Sequence, residues 1–386
     1  MMCSRLRPPL PRLLLLRAMG TAAPRLGASP QPDLLSPALA FEDPSAFRVK
    51  SWGELLRALG VFHLCSFPLL VNNCGKLMSV ARTLLGRRGF SLLLQPTVYA
   101  QFVAGETETE ISRSVEKMKL LGLRPMLAVP IEEDLGESTG EKRYDDNLEA
   151  MLECVRMSHS NTWSKDPMMQ LKVTALLSPE LCVKITTLIA QQPYDPSLLV
   201  RAMDGEESRS LLLDALSLSK SEGFCLGVKL VRGAYMDKER KLAEKEGRLD
   251  PVHQSWEDTN DSYNGSLDVM LNAISQKHER YRIIVATHNE ESVRRAAKRM
   301  DELGIDKDGG SVCFGQLLGM CDHVSLTLAK EGYAIYKSVP YGSLDDTLPY
   351  LVRRAQENRT VLQGIRKERD LLRQELWRRL RPRGGS

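Results

Sequence analysis

Residues 225–235 read CLGVKLVRGAY. Leu226, Val228, Leu230 and Val231 make a short apolar run, interrupted by Lys229 and closed by Arg232 before a Gly233-Ala234-Tyr235 turn. A run this short and this apolar reads as a strand buried on both faces, and such strands belong to parallel sheets. Cations planted at its end are costly to bury unless an anion meets them.

Five further runs have the same character: LRPMLAVP (123–130), MQLKVTALL (169–177), RIIVATHN (282–289), SVCFGQLLGM (311–320) and YAIYKSVPYG (333–342). Helical patterns such as SLDVMLNAISQKHERY (266–281) and EESVRRAAKRMDELG (290–304) lie between them. The alternation predicts an α/β fold with a parallel sheet. Most runs carry polar residues at or near their carboxyl ends: Lys172, Arg232, Thr287-His288-Asn289, Gln316 and Ser338. Polar tips spread over at least five strands favour a (β/α)8-type, TIM-like barrel, whose active face is built from successive strand ends, over one crevice of an open doubly wound sheet.

Outside this region the chain divides into four parts. Residues 1–30 hold Arg5, Arg7, Arg12, Arg17 and Arg25, with no acidic residue before Asp33, the composition of a mitochondrial presequence. Residues 31–100 carry apolar residues at mixed three and four spacing and predict an N-terminal helical lobe, in which His63 and Cys65 read as core. Residues 101–362 form the barrel region, where Thr107 and Glu110 spell a capping box. Residues 363–386 form a basic helix and tail, with Leu371, Leu372, Leu376, Trp377 and Leu380 among arginines; it reads either as packed on the barrel or as touching an anionic inner-membrane surface.

The net charge of +4 on 386 residues gives no argument for a nucleic-acid partner. Eight scattered cysteines form no CxxC pair or Cys/His cluster, so neither a disulfide framework nor a metal site is expected. No GxGxxG or GxxxxGK[ST] stretch occurs. Arg353-Arg354 stand in LPYLVRRAQEN, with Tyr350 and Glu357 one helical turn to either side; two guanidiniums suit a carboxylate or a phosphate, or form a solvated pair.

Taken in order, KLVRGAY, ATHNEESV, CFGQLLGMCDHV and YGSLDDTLPYLVRRAQENR resemble the flavin-dependent proline dehydrogenase family, from about Gln101 to Arg359. The resemblance implies FAD across the mouth of a distorted barrel, with a cyclic amino acid stacked on the isoalloxazine and electrons passed to ubiquinone. It also implies a place in the mitochondrion, on the matrix side of the inner membrane. It places Lys229 near the reactive flavin nitrogen as the catalytic cation, Arg232, Gly233 and Ala234 at the pyrophosphate, and Thr287 and His288 against the flavin. It places Arg353 and Arg354 on the substrate carboxylate, Lys172 beside them, and Leu317 and Tyr350 around the substrate ring. Ser338 stands where proline-specific members carry tyrosine, which leaves room and a hydroxyl for a 4-hydroxyl group and favours trans-4-hydroxy-L-proline over proline.

One interval departs from the family. Only 57 positions separate Lys172 from Lys229, and no strand is evident between MQLKVTALL and Cys225. Family members place two strands there, ending in Asp-Ala-Glu-like and Tyr-Gln elements, neither of which occurs in this chain. An eight-unit barrel spends roughly 31 residues on each unit. The expectation is therefore an incomplete barrel of about six strands, with a seam near 203–210. Three functional readings follow: hydroxyproline oxidation, proline oxidation, and a shortened, flavin-free form that does not catalyse.

Overall fold

The computed structural model of the chain describes residues 39–131, 141–160, 167–171, 175–176, 181, 208–233, 236–360 and 362–381. The presequence reading falls outside them, as do Lys172 and Ala234. All described residues belong to one compact unit, Ala38–Ser386.

Three helices, α1 (Trp52–Cys65), α2 (Pro68–Asn72) and α3 (Cys74–Leu94), make the N-terminal lobe. Ser51 and Glu54 form a reciprocal capping box at the start of α1. His63 is exposed on this lobe, edge-on to Phe67, so its reading as core is corrected: it sits in the last turn, where the apolar stripe has already turned inward at Val61 and Phe62. The barrel region follows as α4 (Glu108–Leu120), β1 (Arg124–Ala128), α5 (Glu141–Ser160), β2 (Met168–Gln170), α6 (Ser208–Glu222) and β3 (Leu226–Val231). It continues with α7 (Met236–Glu246), α8 (Trp256–Gln276), β4 (Tyr281–Ala286), α9 (Glu290–Glu302) and β5 (Val312–Leu317). The last elements are α10 (Asp322–Lys330), β6 (Ile335–Pro340), α11 (Leu344–Thr360) and α12 (Leu362–Leu380). Thr107 and Glu110 cap α4 reciprocally, as their spacing predicts.

All six strands are parallel, in the order β2-β1-β6-β5-β4-β3. The first strand pairs with the last, Met126 opposite Ser338, which is how a (β/α) barrel closes. Among the described residues the two unpaired edges of the sheet are β2 and β3. Among the described residues no strand lies between Gln170 and Leu226. The curled sheet of the described residues is thus an incomplete barrel, since strand number and closure are linked and six strands do not close with the geometry of eight.

Alternation sorts the side chains. Ile283 and Val285 of β4, Val312 and Phe314 of β5, and Ile335 and Val339 of β6 point to the helices, where they pack on Leu267, Val293, Ala296 and Leu328 in the main core. The inner face has a much smaller cluster around Met126, Cys313 and Tyr336. Toward β3 it thins further: Val231, on the same side of the edge strand as Lys229, is 47% exposed. A closed wall would cover that face.

The run at 169–177 forms a shorter strand than its composition suggests, β2 ending at Gln170. Helix α12 turns Leu371 and Leu372 into the core and ties Arg379 to the carbonyls of Phe47, Arg48 and Lys50, so its apolar side is occupied by packing, while Trp377 and Leu380 stay exposed.

Candidate active site

Three groups of candidate residues sit at the carboxyl ends of the strands. The first is on the open side. Lys229 pairs across the ladder with Ile284 and projects from the exposed side of β3, yet the protein mass around its ammonium still lowers its pKa. Arg232 follows directly after β3. Its Nε and Nη2 donate to Asn260 Oδ1 at 3.1 and 2.7 Å, and its guanidinium lies 5.0 Å from the Trp256 ring centroid. Burial lowers its pKa too, and no carboxylate stands within ion-pair distance of Arg232 or Lys229 among the described residues. Gly233 adopts φ +67°, a left-handed conformation that glycine takes without strain and that leaves the backbone open to close approach.

The second group follows β4. Thr287 is buried and its Oγ1 accepts from Asn289 N at 3.0 Å, while Asn289 caps α9 by accepting from Ser292 N at 2.8 Å. His288 is held neutral: burial, then the positive charges of Lys337 and Arg354, lower its pKa from 6.5 to about 3. Its Nδ1 is buried and has no hydrogen-bond partner among the described residues. A buried ring nitrogen left in this way offers a hydrogen-bonding position to a group from outside the described residues.

The third group joins β5, β6 and α11. Leu317 lies opposite Ser338 in the ladder, and Leu317 also packs on the cluster that contains Tyr350, Leu351 and Met320. Arg354 is buried, with its guanidinium 4.9 Å from the Tyr350 ring centroid. A solvated Arg-Arg pair is therefore excluded for Arg354; the Glu357 side chain lies outside the described residues. Ser338 Oγ accepts from Gln170 Nε2 at 2.9 Å, so β2 reaches across to the same inner position. The structure thus brings Leu317, Ser338, Tyr350 and Arg354 into one region, with His288 within electrostatic reach of Arg354.

Sequence reasoning missed a charged support beneath this region. Lys337 points to the helix side of β6 and donates to the carbonyls of Leu317 at 3.1 Å and Met320 at 2.7 Å, besides pairing with Asp322 Oδ1 at 2.9 Å. Asp322 also holds Lys50 at 2.7 Å. Glu368 of α12 accepts from the backbone N–H groups of Cys321 and Asp322, both at 2.8 Å, at the start of α10, where Cys321 is left-handed with φ 55°. Between them, Gly319 has φ +74°, and any Cβ there would collide with the Gln101 carbonyl. These contacts fix the turn that carries Leu317. The visible signal was a lysine inside an otherwise apolar strand.

The neutral state of His288 has a measurable consequence. In the unfolded chain it takes up a proton near its ordinary pKa of 6.5, whereas in the folded chain it does so only near 3. Between those values the unfolded state binds more protons, so stability falls as pH falls. Wild type is expected to lose about 2 kcal/mol more than His288→Gln between about pH 7 and about pH 5, read from urea unfolding. Parallel curves for the two proteins would show that His288 is hydrated in the folded state.

Comparison with known proteins gives the same region a family likeness. A family model described as proline dehydrogenase matches residues 203–367. The hydroxyproline dehydrogenase of Xenopus laevis is 45% identical, over 98% of this chain and 96% of that protein. That alignment runs over 460 positions, while 98% of 386 residues is about 378, so about 80 of its positions face no residue of this chain. The human protein named proline dehydrogenase 1, mitochondrial, is 48% identical over 43% of this chain and 28% of its own length. Among solved structures, proline utilization A from Bdellovibrio bacteriovorus, inactivated by N-propargylglycine, superposes with a TM-score of 0.57 at 19% identity, over 81% of this chain and 38% of that one. It supports the barrel-type fold.

Proposed function

The chain belongs to the proline dehydrogenase family, and from that membership we propose that it oxidises trans-4-hydroxy-L-proline to 1-pyrroline-3-hydroxy-5-carboxylate with FAD, passing electrons to ubiquinone in the mitochondrion. The observation that carries the reading is the convergence of buried Arg354, Tyr350 and Ser338 with half-buried Leu317, from the ends of β5 and β6 and from α11.

The residues present fit FAD on three counts. Arg232 and Lys229 face the open side without carboxylate partners among the described residues, which suits a pyrophosphate and a flavin that gains negative charge. The backbone at Gly233 is open to close approach. His288 offers a buried ring nitrogen that lacks a partner within the described chain. Bound there, FAD would accept the hydride from the substrate ring carbon.

The chain's own groups do the rest. Arg354, with Arg353 beside it, holds the substrate carboxylate; burial in a low dielectric strengthens that hold, and the Tyr350 ring fixes the guanidinium plane. Leu317 and Tyr350 wall the ring and exclude water. Ser338 accepts from Gln170 and keeps its own proton to donate to the 4-hydroxyl group. His288, neutral throughout the working pH range, adds no charge that would oppose the arginines.

A second reading rests on one specific feature, the opening between β2 and β3. A flavin-free chain would fold without catalysing. Purified protein is expected to show flavin absorbance near one equivalent per chain and turnover faster with hydroxyproline than with proline. Absence of flavin together with a cooperative thermal transition decides for the second reading.

A further inference from the structure

The N-terminal lobe carries a surface that the dehydrogenase site does not use. From Leu55 to Gly105 the sequence has no aspartate or glutamate, while Arg57, Lys76, Arg82, Arg87 and Arg88 are all basic. Isolated exposed leucines are ordinary on any protein surface. Here they are concentrated: Leu69, Leu84 and Leu92 are 79%, 78% and 76% exposed, with Phe67, Leu77 and Leu85 exposed beside them in the sequence. Leu77, Val80 and Leu84 recur at helical spacing along one side of α3, and only Cys74, Phe90 and Leu94 of that 21-residue helix are buried. The helix bends at Gly86, φ 66°, so its two halves need not follow one straight axis.

The charge on this surface is not self-compensated. Asp345 is shared by Arg82 at 3.1 Å and Arg87 at 3.2 Å, one carboxylate for two guanidiniums. Lys76 and Arg88 make no ion pair among the described residues. A second copy docked through a two-fold axis would set these same cations against each other, which opposes self-association. Protruding leucines on α2 and α3, with Lys76, Arg82, Arg87 and Arg88 on the same α3, instead match the boundary of an anionic bilayer, where headgroups meet the cations and the leucines enter the acyl edge. No helix among the described residues is long and apolar enough to cross a membrane, so the contact is interfacial.

We infer that α2 and α3 form a membrane-docking surface that seats the chain on an anionic lipid bilayer. The inference deepens the quinone-delivery part of the proposed function, since a lipid-soluble acceptor is met at such a surface. Its location differs from the basic helix α12, whose Leu371 and Leu372 are spent on packing.

Cosedimentation of the full chain with vesicles tests it, using pure phosphatidylcholine and equal parts phosphatidylcholine and phosphatidylglycerol. The wild-type chain is expected to bind the anionic vesicles at least about tenfold more than the neutral ones, and to be released by salt. Leu69→Gln with Leu84→Gln is expected to lower binding by at least about tenfold, because two protruding apolar side chains no longer enter the lipid. Lys76→Glu with Arg88→Glu should abolish the preference for anionic lipid. All four positions are exposed, and an unchanged circular dichroism melt confirms each fold. Equal binding to both vesicles, or binding indifferent to both double variants, overturns the inference. So does a wild-type dimer, seen by sedimentation velocity, that the leucine pair dissociates while no vesicle is bound. Neither flavin nor turnover enters the measurement, so a failed dehydrogenase assay leaves this result standing and a failed vesicle assay leaves that one.

Discussion

Lys337→Met is expected to lower the unfolding free energy by about 3–5 kcal/mol in urea titrations, the range for removing one partner of a buried ion pair. Lys337 is 1% exposed and gives its protons to two carbonyls and a carboxylate. Methionine fills a similar volume, so the loss is not a cavity effect. It leaves the Leu317 and Met320 carbonyls with no replacement donor and Asp322 with Lys50 as its remaining cation. Burial pushes the Asp322 carboxyl up, but Lys337 and Lys50 beside it outweigh that and hold it well below the ordinary carboxylate range. Adding Asp322→Asn to Lys337→Met should lower stability further, because Lys50 then loses its carboxylate as well. A change below about 1 kcal/mol for the single variant would mean that water reaches the cluster and replaces the ammonium.

That cluster also marks where the sequence stopped being readable. Six short apolar runs placed six strands, since period and length are local properties. The gap between β2 and β3 was legible for a similar reason: too few residues separate Lys172 from Lys229 for two more βα units. Lys337, by contrast, meets Asp322 from the start of the preceding helix α10 and, through it, Lys50 from the N-terminal segment, while Glu368 reaches in from the last helix. Such partners are set by tertiary packing and leave no spacing to detect. The leucines of α3 show a different limit: their spacing predicts helices in an N-terminal lobe but not what covers them, and α3 keeps most of its apolar side in solvent. The strand-end residues stood between these cases, because alternation says which side chains share a face but not which helix covers them.

Ser338→Tyr should shift the ratio of kcat/KM for proline over hydroxyproline upward by roughly 100-fold, within the range for losing one buried hydroxyl partner and adding steric exclusion. Ser338 lies on the inner face, opposite Leu317 on β5 and Met126 on β1, with its Oγ accepting from Gln170. A tyrosine ring there occupies the space a 4-hydroxyl group needs and displaces the Gln170 contact. Two effects are therefore combined, and Ser338→Ala separates them: it removes the hydroxyl without adding a ring. That variant is expected to reduce kcat/KM for hydroxyproline about tenfold while leaving proline nearly unchanged, the loss of one hydrogen bond to the substrate. If alanine leaves both substrates unaffected while tyrosine still shifts the ratio, Ser338 selects by space alone. An unchanged ratio in Ser338→Tyr itself would place the 4-hydroxyl group elsewhere and remove the reason for preferring hydroxyproline at this site.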